Sequence, residues 1–463
     1  MAINKSTFET LTPSQFITFT IPNPNPTSPN LLRVAVLDSP SQPSKPQVAA
    51  MVVPKHREND WIFSTETGHL QLLVNIPEIS RLILVGDLPL SNNNDGTPVM
   101  YNRPLLADDD ITYETSLEVS LTPLLIVLSP KSCVVDNVLP EIPFVSYEDN
   151  VISSVVVEVC DSSNVGEMLV ENIEIESDDK GVREFRRRLR FKRMPNLVQT
   201  EIRIVPVTGK SFFNAGMNEM AFRVDMGCLV HPYLSPMVAG FSLIAPYLEE
   251  CVCKGSVPRV LCVGVGGGAL LTFLQTQLGF QVVGVESDET VLRVAKQYFG
   301  LVESDLLRVY VGDGIEVLEK SSGKGSGDVV NDNNVDVFDG LFARADVIMV
   351  DLDSSDAKNG IGAPPLEFVR KPVLVAAKLA LHERGMLVIN VIPPNTDFYY
   401  RIISEFREVF TELYEINVEN GENYVLIATV SPIDVVANDI ENSILKKLKL
   451  IIPKQCMDDI KKI

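Results

Sequence analysis

A chain of 463 residues, 45% hydrophobic and 22% charged, is long enough for two or three domains that each bury a core. Its formal net charge of −21 argues against a general nucleic-acid or anionic-membrane binder, because phosphates would be repelled. Seven scattered cysteines and four histidines without ligand spacing offer no pattern for a structural metal or a disulfide framework, and they suit a reducing compartment.

Residues 1–30, interrupted by Pro22, Pro24, Pro26 and Pro29, read as a flexible lead-in. They lack the charged and apolar regions of a secretory signal and the arginines of a transit peptide, and no stretch of the chain is apolar enough to span a bilayer. The expected location is the cytoplasm. Residues 31–215 read as a mainly β N-terminal domain, with strand-like runs at 31–37, 48–53, 82–85, 152–160 and 197–205. Polar loops at 91–98 and 177–181 punctuate them. The basic run 184–193 reads as one solvated face of a strand, or as a contact for an acidic surface.

From residue 216 onward the texture changes to alternating strands and helices. An apolar helix is expected over 236–248, just after His231 and Tyr233, which either form a turn or line a pocket. A buried strand over 260–265 runs into Gly264, Gly266, Gly267 and Gly268, where a tight turn can bring bare N–H groups to a ligand. A helix over 269–278 closes at Gly279, and the next strand, 281–285, ends on Glu286, where an acid can accept both hydroxyls of a ribose. Asp288 caps a helix over 289–299 that stops at Gly300. The strand 306–311 leads into Gly312, Asp313 and Gly314, and residues 321–334 are a low-complexity insertion. The strand 346–351 ends in an acidic turn with Asp351, Asp353 and Asp356. A helix at 366–381, a strand at 385–391, a helix at 395–409 and a hairpin across Asn420 and Gly421 complete the series. The pattern specifies an α/β fold with a parallel sheet covered on both faces and an antiparallel edge.

Ligand features thus stand at four consecutive strand ends, at the edge where open α/β sheets bind nucleotides. The Asp313 carboxylate can accept from an adenine amino group while its flanking glycines admit the ring, although isolated Asp residues there are ordinarily turn or cap residues. A glycine loop, a ribose acid, an adenine acid and an acidic turn suit S-adenosyl-L-methionine, whose sulfonium seeks negative surroundings. Methyl transfer needs alignment, an unprotonated acceptor and a base, and no enzyme nucleophile.

Residues 263–286, the Gly312-Asp313-Gly314 turn, residues 346–356 and residues 362–368 resemble the carboxyl-terminal, spermidine-synthase-like half of the elongation factor 1-alpha lysine and N-terminal methyltransferase family. The likeness extends upstream to 53–63, 185–191 and 196–201, segments that separate this family from generic methyltransferases. It implies a Rossmann-like, seven-stranded class I methyltransferase domain over 216–463. It further implies Gly264, Gly266, Gly268 and Gly314 around the cofactor, Glu286 at the ribose, Asp313 at the adenine, and Asp351 or Asp353 facing an acceptor amine. The spacing of polyamine synthases selects Asp351, whereas their Asp-Ser-Ser-Asp turn selects Asp353. The family carries two methyltransferase halves and this sequence one glycine-loop unit, so the implied activity is methylation of the N-terminal amine of elongation factor 1-alpha. A polyamine aminopropyltransferase using the decarboxylated cofactor, and a cofactor-binding scaffold without catalysis, are the alternative readings. The sequence leaves the oligomeric state open.

Overall fold

The computed structural model describes residues 5–24, 30–41, 45–76, 78–88, 100–104, 108–134, 140–176, 182–207, 216–322, 344–354, 362–418, 420–433 and 442–463. The loops 91–98 and 177–181, insertion residues 323–334 and Asp356 lie outside them. Among the described residues the strands form three sheets.

The first sheet contains β1 (Phe16–Pro22), β2 (Leu31–Asp38), β3 (Gln47–Val52) and β4 (Ile79–Asp87) in the order β1-β2-β4-β3. β3 and β4 run parallel because the helix Glu66–Val74 carries the chain back between them. Leu70, Leu72 and Leu73 of that helix pack on one face of the sheet, and Leu117, Leu121 and Leu125 of the helix Asp108–Val127 pack on the other. Neither helix stood out in the sequence. The first is buried almost all round and so lacks the one-sided apolar stripe that marks a surface helix.

The second sheet is antiparallel: β5 (Met100–Asn102), β6 (Val151–Ser162), β7 (Gly166–Ile175), β8 (Glu184–Phe191), β9 (Met194–Pro206) and β10 (Phe222–Val224), in reverse chain order. Its core, built on Val170, Leu189 and Ile202, is completed by Val291, Val294 and Phe299 from the glycine-loop unit. The basic run on β8 proves to be neither a solvated face nor an open docking patch. Arg188 and Arg190 reach Glu171 at 2.6 and 2.7 Å, Arg190 reaches Asp60 at 2.9 Å, and Arg186 reaches Glu201 at 2.8 Å. These arginines are internal ties that fix the β8–β9 hairpin to β7 and to Asp60, the cap of the short helix Trp61–Ser64 beyond β3.

The third sheet holds β11 (Arg259–Val263), β12 (Gln281–Glu286), β13 (Leu307–Val311), β14 (Ala345–Val350), β15 (Leu381–Val391), β16 (Glu412–Asn417), β17 (Tyr424–Thr429) and β18 (Lys461–Lys462). Their order is β13-β12-β11-β14-β15-β17-β16-β18. The first five neighbours are parallel and β17 is antiparallel to both β15 and β16. This is the expected Rossmann-like sheet of seven strands, with the two-residue β18 added at one edge. Its two faces bury separate apolar clusters, one including Phe241, Phe273 and Phe280, the other Leu374, Ile402 and Phe406. Local signals set the helix starts: Asp288 accepts from Thr290 and Val291, and Asn395 accepts from Phe398. The chain order reverses between β11 and β14, so their carboxyl ends open a crevice.

Candidate active site

Beyond β11 the chain turns on Gly264, Gly266 and Gly268, whose φ angles are +88°, +52° and +79°. A Cβ at Gly264 would lie 2.0 Å from the carbonyl oxygen of Asp351, so glycine lets the β11 and β14 loops lie back to back. The loop N–H groups of Val265 and Gly266 donate to Oε2 of Glu286 at 3.1 and 3.2 Å. Oε1 of Glu286 accepts from the N–H of Asp288 at 3.1 Å. Glu286 thereby fastens the end of β12 to the glycine loop, while burial pushes its pKa up.

Asp313 caps the helix Gly314–Ser321, its Oδ1 accepting from Ile315 and Glu316 at 2.7 and 3.1 Å. Both bonds use one oxygen, so the cap and a contact through Oδ2 are compatible. Gly314 is buried, and a Cβ there would come within 2.3 Å of a Val263 methyl.

The two acids beyond β14 differ in their surroundings. Oδ2 of Asp351 accepts from the Tyr233 hydroxyl at 3.2 Å, and Oδ1 from Asn390 Nδ2 at 3.3 Å. Desolvation outweighs these two neutral donors, Asp353 adds repulsion, and the Asp351 pKa is raised to about 6. Asp353 instead meets a cation: Arg193 lies 3.7 Å away, and Gln199 Nε2 donates to its Oδ2 at 3.1 Å. Burial raises its pKa too, but Arg193 and Gln199 pull against that. Tyr233, pressed by both acids in a desolvated setting, is held well above the usual tyrosine value.

The loops enclose a cavity of about 520 Å³, lined by Gly264, Gly266, Glu286, Asp313, Gly314, Asp351 and Asp353 together. Sequence reasoning had these residues but missed part of the wall. Arg193, Gln199 and Thr200 arrive from the β8–β9 hairpin, and Thr200 accepts the N–H of Gly267 at 2.8 Å. Asn390, Asn420, Glu422 and Asn423 come from β15 and the β16–β17 turn. Residues 196–201 had stood out as a family motif, though without a role; Asn420 had stood out only as a hairpin turn, and Asn390 and Asn423 carried no signal at all. Tyr233 and His231, one of two alternatives on the sequence, line the cavity and stack on each other at 5.4 Å. No cluster of three or more metal-ligating side chains occurs among the described residues, and no helix there is long and apolar enough to cross a membrane.

No protein-family model matches the chain. Curated proteins do. The eEF1A lysine and N-terminal methyltransferase of Xenopus laevis is 26% identical over 394 residues, covering 82% of this chain and 50% of its own length. That of Homo sapiens is 26% identical over 419 residues, covering 86% and 53%. The Drosophila melanogaster homolog is 25% identical over 400 residues, covering 85% and 50%. The chain therefore spans about half the length of the curated relatives it matches. Among solved structures, human Methyltransferase-like protein 13 in complex with SAH is 26% identical, covering 48% of this chain and 92% of that one at a TM-score of 0.39. A probable spermidine synthase from Corynebacterium glutamicum is 14% identical, covering 66% and 89% at a TM-score of 0.41.

Proposed function

We propose that this chain, related over 82–86% of its length to eEF1A lysine and N-terminal methyltransferases, is an S-adenosylmethionine-dependent protein N-methyltransferase acting on the N-terminal amine of eEF1A in the cytoplasm. The observation that carries this reading is the Asp351 carboxyl, set in the cavity wall beside the glycine loop with its pKa raised to about 6. A base poised just below neutral pH is ionised when needed and still takes a proton readily.

The fit to the cofactor rests on the glycine loop, where a Cβ at Gly264 or Gly266 would strike Asp351 or Thr200, and on carboxylates at successive strand ends. Gly264, Gly266 and Gly268 would line the loop, Glu286 would hold the ribose, and Asp313 with Gly314 would hold the adenine. When bound, the cofactor's sulfonium supplies the methyl group. Asp351 orients the acceptor nitrogen and receives the proton that the new N–C bond displaces, while Tyr233 and Asn390 hold the carboxylate in place. An α-amine with an unperturbed pKa near 8 is unprotonated in roughly a tenth of molecules at pH 7, and a lysine near 10.4 in under a thousandth. A carboxylate base therefore suits the N-terminal amine better.

Asp353 distinguishes this reading from aminopropyl transfer. Its carboxylate is already met by Arg193 and Gln199, which disfavours a second amine of a polyamine there. Calorimetric titration with S-adenosylmethionine and with its decarboxylated analogue tests the choice: the first should bind more tightly, and the reverse order would favour the aminopropyltransferase.

A further inference from the structure

The β16–β17 turn lies beyond any residue assigned to the chemistry, yet it connects to Asp351 through three side-chain amides. The backbone N–H groups of Glu422 and Asn423 donate to Oδ1 of Asn420 at 3.1 and 2.9 Å. Asn420 Nδ2 donates to Oδ1 of Asn423 at 2.7 Å, and Asn423 Nδ2 to Oδ1 of Asn390 at 2.8 Å. Asn390 Nδ2 then donates to Asp351. Asn390 and Asn423 are both buried, 4% exposed each, so an amide turned the wrong way would leave donor facing donor without water to relieve it.

A backbone N–H can only donate, and that fixes the direction of the series. Asn420 must present its oxygen to the turn and hence its NH₂ to Asn423. Asn423 must then present its NH₂ to Asn390, and Asn390 its NH₂ to the carboxylate. We propose that Asn423 is a positioning residue for Asp351, with the turn amides dictating through Asn420, Asn423 and Asn390 which end of the last amide meets the base. The inference rests on Asp351 being the proton acceptor. Other groups around that carboxylate are Tyr233 on its second oxygen, Asp353 with Arg193 behind it, and Cys262 on β11; His231, stacked on Tyr233, and Glu422 share the cavity. None of them fixes the orientation of Asn390.

The hydrogen bond from Asn390 favours the ionised carboxylate, so losing its orientation should raise the Asp351 midpoint. The test is a carbon-13 NMR titration of protein labelled at aspartate carboxyls, with the Asp351 signal assigned by its loss in Asp351→Asn. In Asn423→Leu, similar in size but without donor or acceptor, the midpoint should rise by about one pH unit, the scale of one charge-assisted hydrogen bond. In Asn420→Ala, at the exposed turn, it should move the same way by less. The acid limb of methyl transfer should shift with it. An unmoved midpoint in variants that fold like the parent overturns the proposal, and if Asn423→Leu fails to fold, Asn420→Ala decides. Full methyl transfer by Asp351→Asn would instead sink the assignment of the base, leaving the relay to be judged by the midpoint alone.

Discussion

Gly267 and Thr200 give the sharpest test of whether the β8–β9 hairpin forms one wall of the site. A Cβ at Gly267 would lie 2.3 Å from Thr200 Cγ2 and 3.0 Å from Phe299, and the backbone there is not in the left-handed region. Gly267→Ala therefore adds crowding without dihedral strain. Separating the methyl groups to a normal contact needs roughly 1 Å of movement in a close-packed place, and such overpacking costs about 1–3 kcal/mol. The movement also stretches the 2.8 Å bond from Gly267 N–H to the Thr200 hydroxyl. It falls on the loop proposed to meet the cofactor, so S-adenosylmethionine should bind roughly 10- to 100-fold more weakly. Thr200→Ser removes the clashing methyl and keeps the hydroxyl, so the double variant should recover at least about 0.5 kcal/mol beyond additivity. Titration calorimetry on the four proteins measures this. If Gly267→Ala binds like the parent, or if Thr200→Ser gives no rescue, the hairpin does not bear on the loop as described.

Three further outcomes are expected. Asp313→Ser keeps a capping side chain, so the helix Gly314–Ser321 should persist by circular dichroism while cofactor affinity falls about tenfold or more; unchanged affinity would leave Asp313 a cap alone. Arg190→Met removes the cation shared by the buried Asp60 and Glu171, leaving them Arg57 and Arg188 alone, and should destabilise the protein by about 1–3 kcal/mol in urea unfolding; a loss below about 0.5 kcal/mol would show that the network is dispensable. Because the folded pKa of Asp351 is raised to about 6 from 3.8, its ionisation opposes folding, absent below pH 4 and fully felt above pH 6. The stability of Asp351→Asn relative to the parent should accordingly be greater at pH 8 than at pH 4, and an equal difference at both would contradict the desolvation of that carboxyl.

The parallel half of the third sheet was readable because β11, β12, β13 and β14 are short apolar runs ended by glycine or acid, and helices between them have a local start or stop. Asp288 and Gly300 bracket one helix in sequence as they do in space. The site was readable in the same measure, since Gly264, Glu286, Asp313 and Asp351 end successive strands. Contacts between distant segments were not readable. Nothing local in residues 193–200 says that Arg193 will meet Asp353 or that Thr200 will meet Gly267, because folding of the second sheet brings them together. The arginines of β8 looked like a surface in sequence because their counter-charges, Asp60 and Glu171, lie on other elements. Asn390 and Asn423 look like ordinary strand-end polar residues until β15 and β17 pair. The helices Glu66–Val74 and Asp108–Val127 were hidden for another reason. The first has no polar face, and the second contains Pro123, which argues against a helix interior.

The central claim, a carboxylate-assisted methyl transfer to an N-terminal amine, is tested most directly by incubating the full chain and its Asp351→Asn variant with methyl-labelled S-adenosylmethionine and eEF1A, and mapping the label by peptide mass spectrometry. The account predicts label on the α-amine of the first residue, with a rate at saturating cofactor about 10² or more lower in the variant while cofactor affinity is retained. Label on an internal lysine, aminopropylation of putrescine with the decarboxylated cofactor, or an undiminished rate in Asp351→Asn would contradict it.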